Sequence, residues 1–149
     1  MSVLITNNQS RFNVSRENLR KTAQTILNAL GCENAELSIL IVDDIQMAEY
    51  HRDYLNREGP TNVIAFAMQE GEFAHVAPYL LGDVVISLDT ANREAAEMGI
   101  HVMERFDELL IHGILHLVGY DHERSEAEER RMAEKSAVLA SLLRKAGNE

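Results

Sequence analysis

Apolar residues recur at helical spacing in two stretches of the first half of the chain. The first stretch follows Ser15, which can cap a helix, and precedes Gly31, which can end one in the left-handed region. Its apolar residues are Leu19, Ala23, Ile26, Leu27 and Leu30. The second stretch begins at Asp43 or Asp44, and its stripe contains Met47, Ala48, His51, Tyr54 and Leu55. The pattern therefore predicts two amphipathic helices.

Four shorter apolar segments predict strands. The segment VLIT (3–6) is brief, whereas ELSILIV (36–42) is apolar on both alternating faces, which is typical of an interior strand covered by helices on both sides. GPTNVIAFAM (59–68) opens with turn residues and continues as a strand, and LGDVVIS (81–87) supplies the fourth. Between these two, residues 69–79 predict a surface loop.

Three helices are expected to complete the chain. They run from about residue 89 to 98, from about 102 to 118, and from Ser125 onward. Ser125 and Glu128 form the pattern of a capping box at the start of the last helix. Strands that alternate with helices and are followed by helices alone indicate an α+β (α/β-like) fold, in which helices pack on a mixed sheet.

Length and composition set the class of protein. A chain of 149 residues that is 46% apolar can bury one core, so we expect one domain over residues 1–149. No leader pattern and no run of about 18 apolar residues is present, and this favours a soluble, unsecreted, cytoplasmic protein with no membrane partner. Cys32 is the single cysteine, which fits a reducing compartment.

The charge of the chain limits its partners. A formal charge of -10 argues against a protein that holds duplex DNA by general electrostatics. Residues 1–30 nevertheless carry a local charge of +3, which is compatible either with a basic patch for nucleic acid or with a solvated helix face. The charged residues of this stretch are Arg11, Arg16, Arg20 and Lys21, together with Glu17.

The segment HGILHLVGYDH (112–122) contains three of the six histidines in the chain. His112 and His116 are four residues apart in a predicted helix, so their rings can face the same point. Gly119 can end that helix abruptly and let His122 return toward the pair. Three imidazoles leave a fourth tetrahedral position open for water, as in catalytic zinc sites. Zinc is the default metal, although nickel, copper or iron would accept similar donors.

The core of the predicted 102–118 helix should lie on a face distinct from the histidines. Its apolar stripe falls roughly opposite to them on a helical wheel. The stripe consists of Met103, Phe106, Leu110, Ile114 and Leu117.

Gly113 changes the chemistry that this spacing suggests. The pattern H-x3-H-x2-G-x2-H is that of extended zinc proteases, in which Glu follows the first His and acts as general base, and Gly113 has no side chain to do so. Glu108 could serve as proton acceptor, or it could simply pair with Arg105. Zinc can also act without such a carboxylate by activating water and stabilising charge on a phosphoryl oxygen, which fits phosphodiester hydrolysis.

Other polar residues have ordinary explanations beside functional ones. Asp83 could orient a ligand or could bind backbone amides near a strand start. Asp121 and Glu123 flank His122 and could form local turn bonds or approach the metal. Turn formation is expected of Thr61 and Asn62, and the remaining histidines lack ligand spacing. These histidines are His51, His75 and His101.

The histidine segment HGILHLVGYDHE resembles the signature of the YbeY family of bacterial rRNA maturation factors, also described as metal-dependent endoribonucleases. GPTNVIAF, LGDVVIS and the glutamate-rich stretch that ends in Met132 resemble other parts of the family. The resemblance implies a mixed, mostly parallel sheet of about four strands with five or six helices. It also implies that His112, His116 and His122 bind one zinc ion per chain, and that the activity is cleavage of single-stranded RNA in rRNA processing and ribosome quality control.

Two positions depart from the family pattern. Leu55 stands where members often carry Arg after an aromatic residue, here Tyr54, and Ala65 stands where Ser is common. Arg57, two positions after Leu55, is a candidate for phosphate contact and substrate binding. No other substrate residue, and no catalytic base, is predicted.

Three functions are compatible with these observations. The leading hypothesis is a zinc-dependent endoribonuclease in which a metal-bound water attacks a phosphodiester in a cleft beside residues 62–67. The second is a ribosome assembly factor that binds RNA and ribosomal components and uses the metal structurally, which Gly113 and the acidic charge favour. The third is a zinc metalloprotease, for which the histidine spacing is suitable and the base is missing.

Overall fold

A computed structural model describes residues 3–68, 80–120 and 125–147. Within these residues the chain forms four strands and five helices, close to the number that the resemblance implies. The strands are β1 (Val3–Asn7), β2 (Glu36–Val42), β3 (Val63–Ala67) and β4 (Leu80–Ser87). The helices are α1 (Arg16–Ala29), α2 (Asp44–Leu55), α3 (Leu88–Met98), α4 (Val102–Leu117) and α5 (Glu126–Gly147). The predicted loop at 69–79 lies outside the described residues.

The strands form a single mixed sheet in the order β1-β2-β4-β3. β1 pairs with β2, and β2 with β4, in parallel, whereas β3 pairs with β4 in antiparallel orientation. This confirms the predicted mixed, mostly parallel sheet and the α+β class. β3 forms one edge of the sheet, and in the described part of the chain no strand pairs with its outer side.

Short polar side chains begin the helices, as the sequence predicts for α1, α2 and α5. Ser15 Oγ accepts from the backbone N–H of Asn18, and Asp43 Oδ1 accepts from that of Gln46. Ser125 Oγ likewise accepts a backbone N–H three residues on, in the first turn of α5. Each bond satisfies an N–H group that the helix itself leaves without a partner.

The two faces of the sheet are covered unequally. The main core lies between the sheet and α1, α4 and α5, and it includes Ile39 and Ile41 of β2. On the other face α2 buries Val42, whereas Leu40 and Ser38 are only half-buried. Burial of β2 on both sides, expected from its apolar sequence, is therefore complete only near its carboxyl end. No helix in the described residues has the length and apolar character needed to span a membrane.

A partly buried polar network connects α2 to α3 where the parallel strands end. The carboxylate of Asp44 accepts hydrogen bonds from Ser87 Oγ (2.7 Å), Thr90 Oγ1 (2.6 Å) and Arg93 Nη1 (2.6 Å). Burial by itself would raise the pKa of Asp44, but the hydrogen bonds from these three groups outweigh it and hold the pKa below its usual value. Asp89 adds a bond to the first turn of α2, because its Oδ2 accepts from the Asp44 N–H at 3.0 Å.

Candidate metal centre

Two of the three predicted metal ligands lie side by side on α4. The Nε2 atoms of His112 and His116 are 3.0 Å apart, and the ring centroids are separated by 4.6 Å with the planes at 74°. At this distance either one ring donates a proton to the other or both lone pairs face the same cation. Two nitrogens bonded tetrahedrally to one zinc ion at about 2.0–2.1 Å stand roughly 3.3 Å apart. The pair therefore fits a shared metal ion with little adjustment.

The third predicted ligand, His122, lies outside the described residues, as do Asp121 and Glu123. Within residues 3–68, 80–120 and 125–147, no third His, Cys, Asp or Glu joins the pair in a cluster suited to a metal ion. Gly119, however, has a φ of +105°, so the chain leaves α4 by the abrupt turn that the sequence predicts. The stretch that carries His122 starts directly after this turn.

Gly113 packs against the sheet, which explains why no side chain is present there. A Cβ atom built at this position would lie 2.7 Å from Val84 Cγ1, 3.2 Å from Val84 Cγ2 and 3.4 Å from Val63 Cγ2. A glutamate would therefore point into the interface between α4 and strands β3 and β4. The general base of zinc proteases is absent here because the helix approaches the sheet too closely to hold it.

The helix that carries the histidines is more deeply buried than its predicted apolar stripe implies. Phe106, Leu110 and Ile114 are buried as expected, but so are residues on either side of the histidine face. These additional buried residues are Leu109, Ile111, Gly113 and Leu115. The helix contacts α1, α3, α5, β3 and β4, and beyond its first two turns only His112 and His116 are half-buried. The two histidines thus lie on a half-buried strip between buried parts of the helix and not on a fully exposed side of it.

A chain of charged and polar side chains lies one turn before the histidines. Glu108 Oε1 accepts from Arg105 Nη1 at 2.9 Å, as one reading of the sequence predicts. Arg105, which is 21% exposed, also donates its Nε–H to Glu94 Oε1 at 3.0 Å, and Asn62 Nδ2 donates to Glu94. Although burial lowers the pKa of Arg105, the bonds and charges of Glu108 and Glu94 outweigh it and raise the pKa above its usual value. Glu108 is therefore held as an ion pair.

Two residues of this hydrogen-bonded row, Asn62 and Glu94, were not assigned to the site from the sequence. Asn62 was expected only to form a turn, but its carbonyl also accepts from the N–H of Ser87, which fixes the start of β3 beside the end of β4. The sequence did not indicate a role for Glu94, because its partners Asn62 and Arg105 are 32 and 11 residues away along the chain.

The other predicted residues lie apart from the histidine pair. Arg57 is exposed just after α2, which packs on the opposite face of the sheet from α4. Asp83 is also exposed on that opposite face, because its neighbour Val84 faces Gly113. His101 caps α4, with Nδ1 accepting from the Met103 N–H at 3.1 Å, and His51 Nδ1 lies 2.9 Å from the Gly59 carbonyl oxygen. His75 is outside the described residues.

Three of the basic residues near the amino end already contact acidic or backbone groups of the protein. Arg11 Nη1 pairs with Asp89 Oδ1 at 2.8 Å, Lys21 lies 3.7 Å from Glu17, and Arg20 Nε donates to a β1 carbonyl. These contacts support the interpretation of this stretch as a solvated helix face better than that of a nucleic-acid patch.

Asp107 is an unusual carboxylic acid on α4. Burial, together with the charge of Glu104, raises its pKa to about 6. The sequence does not indicate this burial, because an acidic residue among other charged residues of a helix is expected to lie on the protein surface.

Comparison with protein families gives one match over nearly the whole chain. The family described as Endoribonuclease YbeY matches residues 4–144. Among curated relatives, proteins named Endoribonuclease YbeY from Geobacter sulfurreducens and Geobacter metallireducens are 52% and 50% identical, each over 99% of both chains. The protein of the same name from Aquifex aeolicus is 43% identical over 89% of this chain and 87% of its own.

A solved structure has the same fold. The solution structure of TM1509 from Thermotoga maritima aligns with a TM-score of 0.66 and 21% sequence identity, covering 93% of this chain and 86% of that one. This likeness supports the fold alone, in agreement with the mixed sheet and the helices described above.

Proposed function

Because the chain belongs to the Endoribonuclease YbeY family, we propose that it is a zinc-dependent endoribonuclease that cleaves single-stranded RNA in rRNA maturation and ribosome quality control. The observation that carries the metal part of this proposal is the 3.0 Å separation of the His112 and His116 Nε2 atoms. His122 is proposed as the third ligand on the strength of its spacing after Gly119. One domain over residues 1–149 would perform the reaction, with ribosomal components as further partners.

The metal ion would supply an acidified water molecule and would stabilise negative charge on a phosphoryl oxygen. The part of the protein is to hold the ion and to admit RNA. α4 fixes two imidazoles at the spacing of one helical turn, and Gly113 lets that helix press against β3 and β4. The edge strand β3, on which α4 packs, would border RNA bound beside the histidines.

A phosphodiester suits this site better than a peptide bond. The position of the protease base is filled by side chains of the sheet, and Glu108, the nearest alternative on α4, is held in an ion pair by Arg105. Phosphoryl transfer depends on positioning and on stabilisation of charge, both of which a metal can supply without a neighbouring carboxylate.

The proposal is tested by comparing three substrates. Protein loaded with one equivalent of zinc is incubated with single-stranded RNA, duplex RNA and an unfolded polypeptide, and the bound metal is quantified by mass spectrometry. We expect cleavage of the single strand, with His116→Ala losing both the metal and the activity. The matched control is His51→Ala, which removes a histidine on the opposite face of the sheet and should retain both.

Two outcomes would contradict the proposal. RNA cleavage that persists in His116→Ala would indicate a contaminating nuclease, and the ribosome-binding alternative with a structural metal, which the formal charge of -10 also favours, would replace it. Cleavage of the polypeptide alone, lost in His116→Ala, would instead indicate a metalloprotease.

A further inference from the structure

Three aromatic rings form a continuous cluster on the face of the sheet that carries α2. Tyr50 and Tyr54 stack with centroids 5.9 Å apart at 22°, and Tyr54 meets Phe66 of β3 edge to face at 5.5 Å. Tyr54 is 66% exposed, although large aromatic side chains are normally mostly buried. Its ring contacts both Tyr50 and Phe66, and most of its surface is open to solvent. We call these three residues the ring cluster.

A polar slot of about 330 Å³ lies against the ring cluster. Its lining residues are Tyr50 and Tyr54, the carboxylates Glu49 and Asp53, and the amides Asn8 and Gln46. Gln46 Oε1 is buried, and in the described part of the chain it has no hydrogen-bond partner. A buried acceptor without a donor is unfavourable, and a ligand that brings an amino group would supply one after rotation of the amide.

The chemistry of this slot suits a nucleobase. Aromatic rings stack on bases of any sequence, whereas carboxylates and amide oxygens accept from the exocyclic amino groups of cytosine, adenine or guanine. Uracil carries one carbonyl oxygen in place of the amino group of cytosine, and the carboxylate of Glu49 would repel it. Asp53 is paired with Arg52 at 3.0 Å, so Glu49 is the carboxylate that we expect to accept from the amino group of the base.

The ring cluster and the helix that carries the histidines lie on opposite faces of the same strand, β3. Phe66 and Ile64 of β3 face α2, whereas Val63, Ala65 and Ala67 of the same strand pack into the core beneath α4. The outer edge of β3 pairs with no strand among the described residues. An RNA strand bound beside His112 would have to pass around this edge to reach the ring cluster.

We propose that Tyr54, supported by Tyr50 and Phe66, stacks on an unpaired base of the RNA substrate and that the adjoining slot prefers bases with an exocyclic amino group. This inference rests on the proposed function, because it assumes that RNA is the substrate. It adds a binding surface on the opposite face of the sheet from the metal ligands, and a preference for cytidine over uridine at that position.

The test measures binding of fluorescent ten-nucleotide cytidine and uridine oligomers to the zinc-loaded protein by anisotropy, with gel analysis to verify that the oligomers remain intact. Tyr54→Leu keeps apolar bulk but removes the ring, and it should weaken binding of the cytidine oligomer roughly five- to hundredfold. Tyr54→Phe keeps the ring and should bind within about twofold of the unmodified protein. Glu49→Gln should reduce the preference for cytidine over uridine while the protein stays folded.

The matched control is Ile45→Ala, which removes an apolar side chain that is 75% exposed on the same helix and outside the ring cluster. If Tyr54→Leu binds both oligomers as tightly as the unmodified protein, this inference is wrong. The proposed function then stands, provided that the unmodified protein cleaves the single-stranded RNA of the substrate comparison. If the unmodified protein neither binds nor cleaves RNA, both are wrong. A change in oligomeric state in Tyr54→Leu, seen by sedimentation with RNA binding unaltered, would show that the ring cluster joins two copies of the chain instead.

Discussion

The contact of Gly113 with Val84 gives a prediction that can be worked out in detail. Replacing Gly113 by alanine adds one carbon, which would lie 2.7 Å from Val84 Cγ1 and 3.2 Å from Val84 Cγ2. Rotation of the valine does not relieve the contact, because both methyl groups are close and its χ1 angle is restricted. The helix or the strand must therefore move.

Two opposing terms set the size of the effect. Overpacking a core by one carbon costs about 1–3 kcal/mol, whereas alanine in place of glycine within a helix stabilises it by about 1 kcal/mol. We therefore expect Gly113→Ala to lower the free energy of unfolding by roughly 0–2 kcal/mol. Val84→Ala alone should lower it by about 2–3 kcal/mol, because two buried methyl groups are lost and a cavity remains.

The two changes should compensate each other. With Val84 shortened to alanine, the new carbon at position 113 has room, so only the gain in helix propensity remains. Gly113→Ala should then raise the free energy of unfolding by up to about 1 kcal/mol, which corresponds to a favourable coupling of roughly 1–3 kcal/mol.

Urea unfolding of the four proteins in this cycle, followed by circular dichroism, measures the coupling directly. Each kcal/mol should also shift the melting temperature by about 2–4 °C for a chain of this size. If Gly113→Ala is as stable as the unmodified protein in both backgrounds, or if the effects simply add, the packing explanation for the missing base is wrong.

Three further predictions concern acidic residues. Burial raises the pKa of Asp107 to about 6 in the folded protein from its ordinary value of 3.8, so this carboxyl alone should lower the free energy of unfolding by up to about 3 kcal/mol as pH rises from about 4 to 6. Asp107→Asn should remove this contribution from the pH dependence measured by urea unfolding, and an unchanged dependence would contradict the assignment. Asp44→Ala should lower the free energy of unfolding by about 1–3 kcal/mol at pH 7, because it leaves buried hydroxyl groups without an acceptor. Since the pKa of Asp44 is lowered by folding, that cost should shrink as pH falls below about 4, because the carboxylate is then protonated first in the unfolded chain and, at lower pH, in the folded protein. Glu108→Gln should retain RNA cleavage within about tenfold, because Arg105 already holds the carboxylate; a loss of a hundredfold or more would identify Glu108 as the base.

Local sequence signals predicted most of the elements and the close approach of two of the three proposed ligands. The bounds of α4 agree with the expected 102–118 to within one residue, because apolar spacing and Gly119 act within one or two turns of the chain. The His112–His116 pair follows from the geometry of residues four apart in a helix. The pairing of Arg105 with Glu108 was predictable for the same reason, since three residues separate them.

Contacts between distant segments were beyond such reasoning. Nothing near Gly113 in sequence indicates that Val84 lies against it, so its role could be described from the sequence only as the loss of a base. The burial of α4 on several sides depends on neighbours from five other elements, and a helical wheel of α4 alone showed one stripe. The raised pKa of Asp107 has the same origin, because burial is a property of the assembled core.

The placement of α4 at the centre of the fold keeps the two histidine positions at a fixed spacing for as long as the native state lasts. The backbone of a central helix opens mainly when the whole domain opens, so the backbones of His112 and His116 stay one helical turn apart until global unfolding. An ion held between them would leave the native protein when a side chain rotates away, without movement of the helix. Metal loss under mild chelation should therefore report on side-chain rotation, whereas loss on heating should report on the core.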